Sequence, residues 1–531
     1  MKLLVILAAL VVPALAAGKR PNLLLILADD MGYSDLGCYG SGIDTPNLDQ
    51  LASEGLRFSR FHNTGRCCPS RACLMTGVYP HQAGVGHMLG KTKFPAYSDG
   101  LKSEVRTLPE TLRDSGYDTF MSGKWHLGWS DSGAPEARGF NRFFGSRGYV
   151  DSYYDIVPKT DIYLNDKIIL PAGQPPHNPL HPDREFYTTD IYTDYALHFI
   201  DEHLEKKPDQ PFFGYLAYNA PHFPLHAKPE DTAKYRGRFK KSGWAPLRQA
   251  RLKKLKDAGL IPADARISKR DSPEWDSLSD DVKDELDLKF ALYCAIVYRL
   301  DQNIGRVVDH LRGKGQLDNT LILFVSDNGS TKETGMFGIG GHKTNPSNYD
   351  QWGRKGGWTS SLGQGWANVA NTPFRRYKRE VHEGGISTPA IVWAGKDVAT
   401  RPKAGSLTTQ VAHFIDILPT LAEIAGAKTA ATEGRSLVPV IGGDDIGSRT
   451  LYWEHEGNRA IRDGDWKLVA LSGKPWELYQ ISKDPTELHN LVKEETERAS
   501  QLESKWDAWA ERVGVRPWPE VLEEMRANRK N

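Results

Sequence analysis

Short apolar runs alternate with helical patterns along most of the chain. Leu23 to Ala28 is a continuous apolar run that ends in Asp29-Asp30. Tyr117 to Met121 is a second and leads into Gly123-Lys124-Trp125-His126. Phe212 to Tyr218 precedes Asn219-Ala220-Pro221-His222, and Leu321 to Val325 precedes Ser326-Asp327-Asn328-Gly329. Ala390 to Trp393 is the fifth. Helical spacing falls between these strands: Pro46 to Glu54, Ile191 to Lys206, Lys283 to Arg312 and Val411 to Ala425. Thr45 is placed to cap the first helix, and Pro46 takes its first position, where a missing N–H costs nothing. The alternation predicts an α/β fold with a large, mostly parallel central sheet flanked by helices.

Periodicity fades from about Thr429 to Ser448, a stretch rich in Gly and Asp. Beyond it, Ala460 to Arg462, Trp466 to Val469 and Glu477 to Tyr479 read as short antiparallel strands. Glu494 to Val513 reads as an amphipathic helix with Leu502, Trp506 and Trp509 inward. The expected division is a leader over 1–17, a large α/β domain over 18–445, and a small C-terminal α+β subdomain with an antiparallel sheet over 446–531. The leader rests on Lys2, the apolar run Leu3 to Val12 and the small-x-small pattern Ala14-Leu15-Ala16, which read as a secretory signal peptide. That run is shorter than the ~20 residues a membrane span needs. The expected location is secreted or periplasmic, with no membrane span after cleavage.

Composition narrows the function. With 68 basic and 67 acidic residues the net charge is +1, which removes the electrostatic case for a nucleic-acid partner. Five cysteines in 531 residues do not make a disulfide scaffold, and three of them, Cys67, Cys68 and Cys73, are crowded together. Four of the five predicted strands end in groups that ligate metals or move protons, where open α/β sheets place their sites. Asp29-Asp30 and Asp327-Asn328 offer four oxygen-bearing side chains with no His or Cys beside them, a hard set that favours Ca2+ or Mg2+ over zinc. Each pair alone also suits a turn or a cap. Arg251 to Lys256 is expected to be a solvated helix face.

The run Cys67-Cys68-Pro69-Ser70-Arg71, closing in Thr76-Gly77, resembles the signature of the type I, formylglycine-dependent sulfatases of the alkaline phosphatase superfamily. Pro21-Asn22 through Asp35, Gly123 to Gly128, Ser326 to Gly329, His382-Glu383-Gly384-Gly385 and Leu478-Tyr479 with Asp484-Pro485 also resemble family blocks, in family order. The resemblance covers roughly residues 20–495. It implies that Cys67 is converted by a maturation enzyme to formylglycine, whose hydrate attacks sulfur and then expels sulfate through its second hydroxyl. It implies one Ca2+, with Mg2+ second, held by Asp29, Asp30, Asp327, Asn328 and residue 67. Arg71, one helical turn on, faces the hydrate. Lys124 and Lys378 bind sulfate oxygens, Lys378 being chosen because it lies five residues before Glu383. His222 protonates the leaving alcohol and also contacts substrate, and His126 takes the proton from the second hydroxyl. His382 is expected to be structural. His87 and Arg147 are candidate pocket residues, as are Trp453, Glu454, His455 and Asn458.

The activity implied is arylsulfatase-type hydrolysis of sulfate esters, aryl or preferably carbohydrate. Two other readings stay open: a formylglycine-dependent phosphodiesterase or phosphonate monoester hydrolase, and a non-catalytic Ca2+-dependent glycan-binding protein.

Overall fold

The computed structural model describes residues 19–150, 152–155, 160–339, 351–357 and 359–528, so the expected leader lies outside them. Eleven strands form the main sheet: β1 (Asn22–Ala28), β2 (Leu56–His62), β3 (Asp118–Lys124), β4 (Arg142–Ser146), β5 (Ile162–Leu164), β6 (Lys167–Leu170), β7 (Phe212–Ala217), β8 (Thr320–Ser326), β9 (Ser387–Ala394), β10 (Ser406–Thr408) and β11 (Ala412–His413). Their order is β10-β2-β9-β8-β1-β7-β3-β4-β5-β6, with β11 also on β2. The centre, β8-β1-β7-β3-β4, is parallel throughout. β9, the fifth predicted strand, runs antiparallel to both β8 and β2.

Strand β1 shows why the central runs carry no polar positions. Leu24, Ile26 and Ala28 enter one apolar cluster, with residues of the helices Thr188–Lys206 and Asp280–Gly313. Leu23, Leu25 and Leu27 enter the other, with residues of the helices Cys67–Thr76 and Ile417–Ala425. Successive side chains point to opposite faces, and here both faces are covered. Each buried leucine contributes about 1.5–3 kcal/mol.

Strand β3 runs three residues past the predicted Met121. A Cβ on Gly123 would lie 2.0 Å from the Ala217 carbonyl oxygen, so only glycine lets β3 and β7 stay paired to the end. The predicted helix Val411 to Ala425 begins instead with β11 and a 3-10 turn, Phe414–Asp416, and is α-helical only over Ile417–Ala425. His413 and Asp416 side chains cap the turn: Asp416 Oδ2 accepts the His413 N–H at 2.8 Å, and His413 Nδ1 accepts the Ile415 N–H at 3.2 Å. Thr45 does not cap its helix; its hydroxyl accepts from the Gly37 N–H and donates to Asp49. Arg251 is not solvated. It is buried in the helix Trp244–Asp257, with Nη1 2.8 Å from Asp35 Oδ1.

The second sheet is antiparallel, β12 (Thr450–His455), β13 (Asn458–Asp463), β14 (Trp466–Ala470) and β15 (Glu477–Gln480), with the helices Thr496–Val513 and Trp518–Asn528 following. Its Leu451, Trp453, Ile461 and Leu468 join the same apolar cluster as Leu23 and Leu25. At the seam, the buried Lys467 ammonium lies 2.7 Å from Glu383 Oε1 and 2.9 Å from Glu487 Oε1. Among the described residues, no helix is long and apolar enough to cross a membrane.

Candidate active site

The carboxyl ends of β1, β3, β7 and β8 meet the N-terminus of the helix Cys67–Thr76. All ten residues of that helix are buried. Pro69 is tolerated because it lies in the first turn. Asp29 and Asp30 are consecutive, so an extended chain would send their side chains to opposite faces. Asp30 breaks the alternation with φ 67°, a left-handed conformation of the kind retained at functional sites. As a result carboxylate oxygens of both residues and a ring nitrogen of His222 lie within 4.8 Å of one another. Donor atoms of Asp29, Cys67 and Asp327 form a second such group.

Ion pairs knit the centre. Lys124 Nζ is 2.5 Å from Asp29 Oδ2, and Lys378 Nζ is 2.7 Å from Asp30 Oδ1. Arg71 Nη2 lies 2.9 Å from Asp327 Oδ2 and 3.3 Å from Asp29 Oδ2, and Nη1 donates to the Lys124 carbonyl at 2.6 Å. Arg71 therefore clamps the two carboxylates together. Asn328 Nδ2 donates to Asp30 Oδ1 at 2.7 Å. His222 donates from Nδ1 to the Phe223 carbonyl at 2.5 Å, which turns Nε2 toward Asp30 Oδ2, 3.5 Å away. His126 is also left-handed, at φ 59°, and buried, with Cys67 among the groups that bear on its charge.

Burial opposes the charge on Asp29, but Lys124, His222 and Arg71 together hold its carboxyl below the usual range. Asp327 moves the other way, raised by burial and by Asp29. The hydrogen bond from Cys68 and the Lys378 and Lys124 charges lower the Cys67 thiol against its burial. Burial, helped by Lys124, pushes His126 down to about 4. Burial disfavours the Lys378 ammonium, yet Asp30 and Cys67 raise it above its ordinary value.

Three buried oxygens, Asp29 Oδ1, Asp30 Oδ2 and Asn328 Oδ1, have no hydrogen-bond partner. Buried oxygens without hydrogen-bond partners, on residues joined by the Asn328–Asp30 hydrogen bond and the close Asp29–Asp30 carboxylates, suit a hard cation with oxygen ligands. The loop bearing Asn328 is fixed by Gly329: a Cβ there would lie 2.0 Å from the Gly384 carbonyl oxygen, on the loop that follows Lys378. Gly329→Ala must push the two loops apart. The expected result is weaker binding of a titrated hard dication in calorimetry and a loss of activity of tenfold or more, with an unchanged far-ultraviolet circular dichroism spectrum.

All ten residues singled out in the sequence converge here, and each is buried. The side candidates separate. Arg147 pairs with Asp131 at 2.8 Å and lies over the Tyr163 ring. Trp453 is core, its Nε1 donating to the Asn63 carbonyl, and Glu454 pairs with the buried His81. Asn458 donates to the Arg379 carbonyl, and His382 is a buried partner of Glu477. Sequence reading missed Tyr149, whose ring lies 5.3 Å from that of His222 and 5.5 Å from Lys124 Nζ. It missed Trp129, half exposed, 6.3 Å from the His126 ring. It also missed Arg66, paired with Glu333 at 3.2 Å. Nothing in the order of residues separates an exposed aromatic from a core one; adjacency to Cys67 was the available signal for Arg66.

The sulfatase family model matches residues 21–427, and the model for the C-terminal part of N-sulphoglucosamine sulphohydrolase matches residues 375–510. An uncharacterized sulfatase of Schizosaccharomyces pombe is 34% identical over 86% of both chains. An arylsulfatase of Klebsiella aerogenes is 32% identical over 80% of this chain and 91% of its own. The crystal structure of Ps i-CgsB in complex with k-i-k-neocarrahexaose superposes with a TM-score of 0.67 at 27% identity, covering 94% of each chain.

Proposed function

The chain belongs to the sulfatase family and is a sulfuric ester hydrolase, and from that premise we propose that it removes sulfate from sulfated carbohydrates outside the cytoplasm, using residue 67 as nucleophile and one Ca2+. The observation that carries the metal assignment is the trio of unpartnered oxygens on Asp29, Asp30 and Asn328 beside Cys67. Asp29, Asp30, Asp327 and Asn328 would hold the ion, and when bound it polarises sulfate oxygens and lowers the pKa of an adjacent hydroxyl. Formylglycine at position 67, once hydrated, would supply two hydroxyls on one carbon.

The other side chains have separable tasks. Lys124 and Lys378 bring positive charge to either side of residue 67, where sulfate oxygens carry the negative charge. His126, kept neutral by burial and Lys124, accepts a proton from the group at position 67. His222 has its Nδ1 hydrogen committed to the Phe223 carbonyl, so only Nε2 faces the centre. That nitrogen, 3.5 Å from Asp30 Oδ2, is the one placed to donate a proton to the leaving alcohol. Arg71 keeps Asp29 and Asp327 from repelling each other.

A sulfate monoester carries one negative charge fewer than a phosphate monoester dianion, and one metal with two ammoniums matches the lower charge. Sulfated sugars, p-nitrophenyl sulfate and the corresponding phosphate esters, assayed side by side on matured enzyme, test the reading. Sulfate release from a sugar should dominate; phosphate ester hydrolysis at equal or greater kcat/KM would replace it with the phosphodiesterase reading. Mass spectrometry of the peptide bearing Cys67 shows whether the thiol has become an aldehyde.

The carbohydrate preference draws on the carrahexaose bound by Ps i-CgsB and on Trp129 at the mouth of the site. A half-exposed indole beside His126 offers a face on which a sugar ring can stack. Trp129→Ala should raise KM for a sulfated sugar about three- to tenfold, the worth of one aromatic contact, while KM for a small alkyl sulfate stays nearly constant. An equal rise for both would assign Trp129 to packing.

A further inference from the structure

A second group of donors converges apart from the catalytic ten. His87 comes from the segment after the helix Pro80–Ala83, His455 ends β12, and Glu456 opens the turn to β13. His87 Nδ1 is 3.7 Å from Glu456 Oε1, and His455 Nε2 is 3.6 Å from the same oxygen. All three donor atoms lie within 4.8 Å of one another, and the two rings are 5.1 Å apart. These contacts are too long for good hydrogen bonds. They do approach the spacing of about 3.4 Å between ligands of a tetrahedral ion at 2.0–2.1 Å.

Hydrogen bonding leaves the group unsatisfied. Both ring nitrogens of His455 and Nδ1 of His87 are buried without a partner, and the His455 side chain is 0% exposed. Such groups in a native interior call for an explanation, and a bound ion is one. Glu456 stands at φ 53°, a left-handed position that fixes the turn. Its Oε2 is taken by Arg379, whose Nε is 2.8 Å away, leaving Oε1 for the histidines. The nearby cations Arg66 and Arg379 are each ion-paired, with Glu333 and Glu456.

We propose that His87, His455 and Glu456 form a second metal site, for Zn2+ or a dication of similar softness. Two imidazoles and one carboxylate favour zinc, whereas the all-oxygen set at Asp29, Asp30, Asp327 and Asn328 favours calcium, so the two sites sort their metals by donor chemistry. The ion ties the second sheet to the main domain. Arg66 precedes Cys67 and Arg379 follows Lys378, which places the site at the rim of the catalytic pocket. Three protein ligands leave one coordination position open.

The test is metal analysis of the full-length protein, chelated, saturated with Ca2+, equilibrated with micromolar Zn2+ and desalted. Wild type should retain one zinc per chain, and Co2+ in its place should give the strong visible absorption of a tetrahedral site. His87→Ala and His455→Gln should lose the zinc and the cobalt band while keeping calcium and the wild-type circular dichroism spectrum. The proposal fails if wild type retains no Zn2+, a result that needs no variant, or if folded variants retain as much as wild type. Variants that raise KM for a sulfated sugar, in a protein that binds no Zn2+, would assign the histidines to direct substrate contact and overturn it. Because the readout is metal content, its failure leaves the hydrolase reading untouched.

Discussion

Cys67→Ala should lower kcat/KM toward a sulfated sugar by about 10^4-fold or more, the scale expected when a nucleophile is removed from an otherwise intact site. The thermal midpoint should move little, since the change removes only the one heavy atom beyond Cβ from a small side chain at a helix start. Cys67→Ser is the more informative variant. Its Oγ can bond to sulfur as the sulfur–alcohol oxygen bond breaks, with its proton passing to His126 and a proton from His222 going to the alcohol. The adduct then lacks a second hydroxyl to expel sulfate. The expected result is a single turnover that leaves one sulfate on the protein, read as a mass increase on the intact chain and mapped to the peptide of residue 67. Sustained wild-type turnover by either variant would remove residue 67 from the chemistry.

Lys467→Met should cost about 3–5 kcal/mol of unfolding free energy, the range for breaking a buried ion pair and stranding its partner. Two partners are stranded here. Glu383 and Glu487 both face the Lys467 ammonium across the seam between the sheets. Burial opposes ionisation of Glu383, but Lys467 and then His62 hold its carboxyl well below the ordinary range. A depressed carboxyl contributes stability that is complete above its unfolded value, about 4.3, and is lost as pH falls through the folded value. The gap between wild type and variant should therefore be full at neutral pH and narrow below about pH 4. Urea unfolding at pH 7 and pH 3.5 measures both ends; an equal gap at the two pH values would mean that lost packing, not stranded charge, sets the cost.

The central strands were readable because they are covered on both faces. β1, β7 and β8 carry unbroken apolar runs and were placed to within one residue at each end. β2 was not found: Arg57 and Arg60 are only partly covered and interrupt its apolar positions, so no run forms. β12 and the helix Trp518–Asn528 were missed in the same way, as mixed stretches whose buried face is set by distant partners. Arg251 was misjudged because composition does not say which basic residue turns inward. The spacing of Trp244, Arg248, Arg251, Leu252 and Leu255, all buried, does mark the inner face of that helix. The ten candidate residues were legible as blocks of residue types, most of them at strand ends. Their convergence depends on the left-handed Asp30 and His126, and nothing in the order of residues announces those angles.

The buried helix at Cys67 has a consequence for timing. In the finished fold Cys67 is 2% exposed and Ser70 and Arg71 are 0% exposed, so no second protein can grip this segment without taking the sheet apart. Any enzyme that oxidises Cys67 must reach it while the chain is still open. A molecule that folds first with its thiol intact would be a sealed and permanently idle product. On the formylglycine reading proposed above, the specific activity of a preparation would record a race between oxidation and folding, and slowing the folding of the nascent chain should raise the active fraction.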